Sequence, residues 1–277
     1  VAVRDILVVS LGDSYSSGEG SPDVPGTIGG ADPLWADLRC SRSSHAGAAQ
    51  AAKMLEDADA KTSVTFIHLA CSGAKVYDFP NEPPGSGGLL TPYQGAHPTH
   101  YPSGAPQLLA PQVDELHDIV GARRIDLLDM SIGGNDTGFA DIVTGCADAV
   151  FLLNCPLWLR IPDCDLHVGG LTQSIDIFES GIRDLPNRYD ELDKALRANL
   201  GGPAATGDPI LSPERVYINE YPDIVHDDSG DTCGWPYPDI LASCLLPPIR
   251  QVLPGIKSRE MDWAGGIVGP TLDGEVK

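Results

Sequence analysis

Residues 5–20 read DILVVSLGDSYSSGEG: an apolar run with β-branched Ile6, Val8 and Val9 that breaks at Gly12 into small and polar residues. Such a run, bounded by turn formers, predicts a buried strand followed by a tight turn that carries a hydroxyl, Ser14. Three further segments share the pattern, 63–70 (SVTFIHLA), 125–131 (IDLLDMS) and 214–221 (ERVYINEY). Between them lie 43–58, 109–120 and 174–199, where apolar residues recur every three or four positions, as on one face of a helix. Strands that alternate with helices predict an α/β, doubly wound, mostly parallel sheet with helices on both faces, because parallel neighbours need long crossovers. The expectation is one domain over 1–277, with a cysteine-bearing excursion at 144–172 and a long Pro- and Gly-rich loop at 79–106. Loops of that length are usually functional or mobile.

Composition narrows the classes. With 39 acidic and 18 basic residues the formal charge is −21, which repels phosphate backbones and anionic lipid surfaces, so nucleic acid is excluded as a partner. The acidic residues are spread along the chain, the pattern of a solvated surface. No apolar run reaches 18 residues, so no transmembrane segment is expected. Seven cysteines without a CxxC pair suit disulfides in an oxidising compartment, hence a secreted protein, with one thiol left over.

In open parallel sheets the ligand sits beyond the carboxyl ends of the strands. Three short segments fall there: Gly12-Asp13-Ser14 after the first strand, Cys71-Ser72-Gly73 after the second, Gly133-Gly134-Asn135-Asp136 after the third. A hydroxyl and two hydrogen-bond donors on one sheet edge are the parts of acyl transfer, in which a nucleophile attacks and donors hold the oxyanion. Each segment alone makes an ordinary turn; their joint placement carries the weight.

On these residues the chain resembles the SGNH/GDSL hydrolases. GDSYSSGEG is similar to that family's first block, with Tyr15 in place of the name-giving Leu; Gly73 matches its second block, and Gly133, Asn135 and Asp136 its third. Pro111-Gln112-Val113-Asp114, the Tyr221-Pro222 pair, and Cys40 and Cys71 bracketing the first crossover extend the likeness to disulfide-bearing secreted esterases and lipases. The resemblance implies Ser14 as nucleophile, and the Ser14 N–H, the Gly73 N–H and the Asn135 amide as oxyanion donors. The substrate would be a small-molecule or lipid ester, hydrolysed without metal or other cofactor. It also implies a C-terminal His as base, preceded by Asp three residues earlier. His45, His68, His97, His100, His117, His167 and His226 are present, and only Asp223-Ile224-Val225-His226 has that spacing, directly after Tyr221-Pro222, where the family carries a loop. The expectation is therefore a base beyond residue 277, on a missing C-terminal piece or a separate C-terminal polypeptide, with His226 as the rival. Alternatives on the same scaffold are a carbohydrate O-acetyl esterase and a non-catalytic binding module.

Cys40 with Cys71 and Cys233 with Cys244 are the expected bridges, leaving Cys146, Cys155 and Cys164. His97 and His100 lack a third ligand for a metal, and Asp227, Ser229 and Asp231 lack the Gly and Glu of a calcium loop. Gly18 and Gly20 do not make a dinucleotide fingerprint. Tyr15, Trp35, Tyr77 and Phe79 flank the expected cleft, as groove or as packing.

Overall fold

The computed structural model describes residues 3–27, 30–80, 82–97, 108–138 and 170–221. The expectations for residues 144–169 of the 144–172 excursion, for His100, His167 and His226, for the Asp227 loop and for the five cysteines from Cys146 onward lie outside these residues, and 170–172 are the first residues of a long helix rather than irregular. The chain divides into two compact units, Val1–Asp136 with Leu185–Glu220, and Thr137–Asp184 with Tyr221–Lys277. The first holds the sheet.

Four strands form that sheet: β1 (Arg4–Gly12), β2 (Thr62–His68), β3 (Leu127–Ser131) and β4 (Val216–Ile218). All pairs are parallel and the order is β2-β1-β3-β4. The last strand is shorter than the apolar pattern of 214–221 suggests, because Pro213–Arg215 forms a single 3₁₀ turn before it. Proline at the head of that turn has no N–H for a ladder.

Side-chain alternation along β1 assigns the layers. Leu7, Val9 and Leu11 face one core with Val113 and Leu116 of α3 (Gln112–Val120) and Leu192, Leu196 and Leu200 of the long helix α4 (Gly170–Leu200). Ile6 and Val8 face the other way, onto Ala52 of α2 (Gly47–Asp57), with Val64, Phe66 and Leu127 around them. Period-two alternation of a strand buried on both sides requires a near-continuous apolar run, which is what residues 6–11 supply. Helices therefore cover both faces, as expected from the alternation of elements.

Helix α3 starts just after Pro111, carries Asp114 and Glu115 in its first turn, and stops at Gly121, where φ is 54°. Acidic residues at the start match the positive end of the helix dipole. Since β2 and β3 lie on opposite sides of β1, the chain reverses its winding direction there. At such a reversal open α/β sheets bind ligands beyond the carboxyl ends of the strands, here those of β1 and β3.

Candidate active site

Ser14 is the first residue of α1 (Ser14–Ser17), one residue beyond the start of the turn after β1. Asp13 is buried and caps this short helix, its Oδ1 accepting from Tyr15 N at 3.0 Å. The cap engages Tyr15, and as the first helical residue Ser14 has an N–H with no partner inside the helix. Gly12, with φ of 120°, lets the strand run close under β3: a Cβ there would collide with the Ser131 carbonyl. Its peptide is held from α3 by Gln112, which accepts from Gly12 N (2.8 Å) and donates to Gly12 O (2.9 Å).

After β2 the chain enters a turn closed by Ala74 N donating to Cys71 O at 3.0 Å, with Gly73 at its third position and φ of 81°. A positive φ at that position suits glycine. The buried Cys40–Cys71 disulfide, one of the two expected pairings, anchors the first residue of the turn, and Ser72 N donates to Cys40 O at 3.0 Å. Ser72 Oγ donates to the Glu19 carboxylate, which reaches over from the segment after α1.

After β3, Asn135 donates from Nδ2 to Ala74 O at 3.0 Å. An amide nitrogen carries two hydrogens, so this bond orients the group and leaves one hydrogen for a ligand. Asp136 is wholly buried. Its carboxylate accepts from Val76 N at 3.0 and 3.2 Å and from Arg188 Nη1 at 2.7 Å. Burial pushes the Asp136 carboxyl up to about 6, with the Arg188 guanidinium, the Val76 N–H and Lys75 pulling the other way. Arg188 is itself buried, donates to Tyr77 O at 2.9 Å, and lies over the Tyr77 and Phe79 rings at 4.1 and 3.9 Å. These two aromatics thus pack a guanidinium, which absorbs the faces that the sequence offered to an acyl groove.

The three turns are stitched to one another. Block one meets block two through Glu19 and Ser72 and through Cys71 N donating to Gly12 O (2.9 Å). It meets the end of β3, from which the third turn departs, through Asp13 N donating to Ser131 O (2.9 Å) and Ser131 N donating to Ser16 Oγ (2.7 Å). Blocks two and three meet through Asn135 and Asp136. The fold brings Ser14, Gly73 and Asn135 to the carboxyl ends of three adjacent parallel strands, joined by hydrogen bonds between the segments that carry them.

None of the histidines among the described residues pairs with Ser14. His45 Nδ1 bonds Pro22 O, His97 Nε2 bonds Ser41 Oγ, and His117 Nδ1 bonds its neighbour Asp118. His68 Nε2 donates to Ser16 O at 3.1 Å; burial holds its imidazole below the ordinary value, against the pull of that bond. Among the described residues no group of three or more His, Cys, Asp or Glu is arranged for a metal, and no helix is long and apolar enough to cross a membrane.

Sequence reasoning missed Arg188, Tyr93, whose hydroxyl donates to Ser72 O at 2.7 Å, and Tyr189, whose hydroxyl donates to Ile132 O at 2.9 Å just before Gly133. Arg188 had a signal: it lies among Leu185, Leu192 and Leu196 on the apolar face of α4, where a cation needs a buried partner. Tyr93 lies in the Pro- and Gly-rich loop and carries no periodic signal.

No protein-family model matches the chain, and no curated protein matches it. Among solved structures the chain is similar to phospholipase A1 from Streptomyces albidoflavus NA297, at 18% identity and a TM-score of 0.42, over 98% of this chain and 76% of that one. It is also similar to an extracellular lipase from Streptomyces rimosus, at 19% identity and a TM-score of 0.44, over 98% of this chain and 77% of that one.

Proposed function

We propose that this chain is a secreted carboxylic ester hydrolase of the SGNH/GDSL kind, acting through an acyl-enzyme on Ser14. The observation that carries the reading is the joint one: a serine, a turn glycine and an asparagine at the carboxyl ends of β1, β2 and β3, three neighbouring strands of one sheet. Ser14 Oγ attacks the ester carbonyl and its proton passes to a base. The negative charge on the carbonyl oxygen is held by the Ser14 N–H, the Gly73 N–H and an Asn135 amide hydrogen. Collapse expels the alcohol, and water then releases the acid. A serine hydroxyl needs a base to be nucleophilic at neutral pH, and the rings of His45, His68, His97 and His117 are engaged elsewhere. The base is sought at His226 or on a separate C-terminal polypeptide. The Cys40–Cys71 disulfide supports an oxidising, extracellular setting.

Hydrolysis of p-nitrophenyl acetate tests the reading. The expected result is a burst of nitrophenol, acyl-enzyme mass on the peptide holding Ser14, and loss of both in Ser14→Ala. A binding module on the same scaffold gives no burst, and turnover retained by Ser14→Ala removes Ser14 as the nucleophile.

A further inference from the structure

Tyr93 lies directly behind the turn that carries Gly73. Its hydroxyl donates to Ser72 O at 2.7 Å, and it occupies the space that a Cβ on Gly73 would enter. Ser72 O and Gly73 N–H belong to one peptide unit, and no described peptide bond is cis. In a trans peptide the two groups point in opposite directions in one plane, so a hydroxyl that fixes the oxygen also fixes the direction of the N–H.

That constraint matters because of where the peptide sits. The turn's own hydrogen bond runs from Ala74 N to Cys71 O and leaves the central Ser72–Gly73 peptide unheld. Type I and type II turns differ by rotation of this central unit, and the turn bond is compatible with either. Glycine at the third position can adopt the φ of either state. Tyr93 removes this freedom and is itself well placed to do so. It is buried in the core beside Leu89 and Leu116, and its backbone pairs with Leu109, N to O at 3.2 Å and O to N at 2.7 Å. Burial, with the Glu19 carboxylate adding to it, pushes its phenol up to about 12, so it stays a donor throughout the working pH range.

We propose that Tyr93 is a positioning residue for the oxyanion site: by holding Ser72 O it aims the Gly73 N–H and polarises it. A bond accepted by a carbonyl strengthens the N–H of the same peptide as a donor. The Pro- and Gly-rich loop thereby has a defined task, to carry this hydroxyl behind the turn. The inference rests on Gly73 as an oxyanion donor, as proposed above.

The test is Tyr93→Phe in the full chain, with p-nitrophenyl acetate as substrate and kcat expressed per Ser14 titrated by a p-nitrophenyl phosphonate. The expected result is a fall in kcat of about tenfold with KM within about twofold, below the loss of about 10²–10³ typical of deleting a donor outright. Binding of a boronic acid, which mimics the tetrahedral state, weakens in the same proportion. An unchanged kcat per titrated site overturns the inference, even where the variant melts earlier, because a merely structural role alters how much enzyme folds and not what each folded molecule does. Should Tyr93→Phe fail to fold, difluorotyrosine placed at 93 keeps ring and hydroxyl but ionises at lower pH. Then kcat falls on the alkaline side where the unaltered enzyme is flat, and identical profiles overturn the proposal. Ser14→Ala separates the two readings: if it keeps its activity, Ser14 is not the nucleophile, and the proposed site fails and this inference with it. If it is inert while Tyr93→Phe is fully active, this inference alone fails.

Discussion

Gln112 and Gly12 form a closed pair of hydrogen bonds, 2.8 and 2.9 Å, across 100 residues of sequence, so that the first turn of α3 grips the end of β1. Both groups are buried, and Gly12 O has a second donor in Cys71 N while Gly12 N has only Gln112 in this network. Gln112→Leu leaves that N–H buried and unpartnered, at an expected cost of about 2–3 kcal/mol. Urea unfolding followed by circular dichroism reads it as a lowered midpoint with an unchanged slope; no shift would show that the side-chain bonds contribute nothing net.

Arg188 and Asp136 are both buried, at 1% and 0% side-chain exposure, and 2.7 Å apart. Arg188→Met strands a carboxylate whose remaining partners are the Val76 N–H and the field of Lys75. The expected loss is about 3–5 kcal/mol, the range for breaking one side of a buried pair. Adding Asp136→Asn restores part of it, because the stranded charge is gone; a double variant as weak as the single one counts against this account.

His68 makes folding sensitive to acid. Its folded value lies below the ordinary 6.5 because the ring is buried, so between the two values the unfolded chain holds the extra proton. Stability therefore falls as pH drops from about 6.5 toward the folded value, by about 1.4 kcal/mol per pH unit at most. Denaturation midpoints from pH 7.5 to 5 should decline less in His68→Gln, which keeps a donor toward Ser16 O. Parallel declines in both proteins would place the acid sensitivity elsewhere.

The Cys40–Cys71 bridge closes a loop of sequence separation 31, and both cysteines are buried. Loop-closure entropy predicts that the double variant Cys40→Ala, Cys71→Ala loses about 3–4 kcal/mol. Because Cys71 opens the Gly73 turn, kcat on p-nitrophenyl acetate should fall at temperatures where the variant is still folded. Calorimetry and steady-state kinetics on the same sample check both halves.

By itself the sequence determined the elements and their order. The run from Ile6 to Leu11 is apolar on both faces of a strand, the spacing of 109–120 and 174–199 is helical, and alternation of the two makes a parallel sheet. It also determined that Ser14, Gly73 and Asn135 share one edge of the sheet, because each follows a strand and the carboxyl ends of parallel strands lie together. These are local signals, readable within a dozen residues. A hydrogen-bond partner for the Ser14 hydroxyl was not legible, since that depends on which distant loop returns to the residue.

Only the tertiary structure decided which groups hold those turns in place. Tyr93 reaches Ser72 across 21 residues, Arg188 reaches Asp136 across 52, and Gln112 reaches Gly12 across 100. Tyr77 and Phe79, legible as cleft aromatics, became the bed of a buried guanidinium for the same reason. Periodicity reports the face a residue presents; a buried donor's partner is set by the packing of segments that no local pattern relates, and the cost of leaving a polar group unpaired then fixes the match.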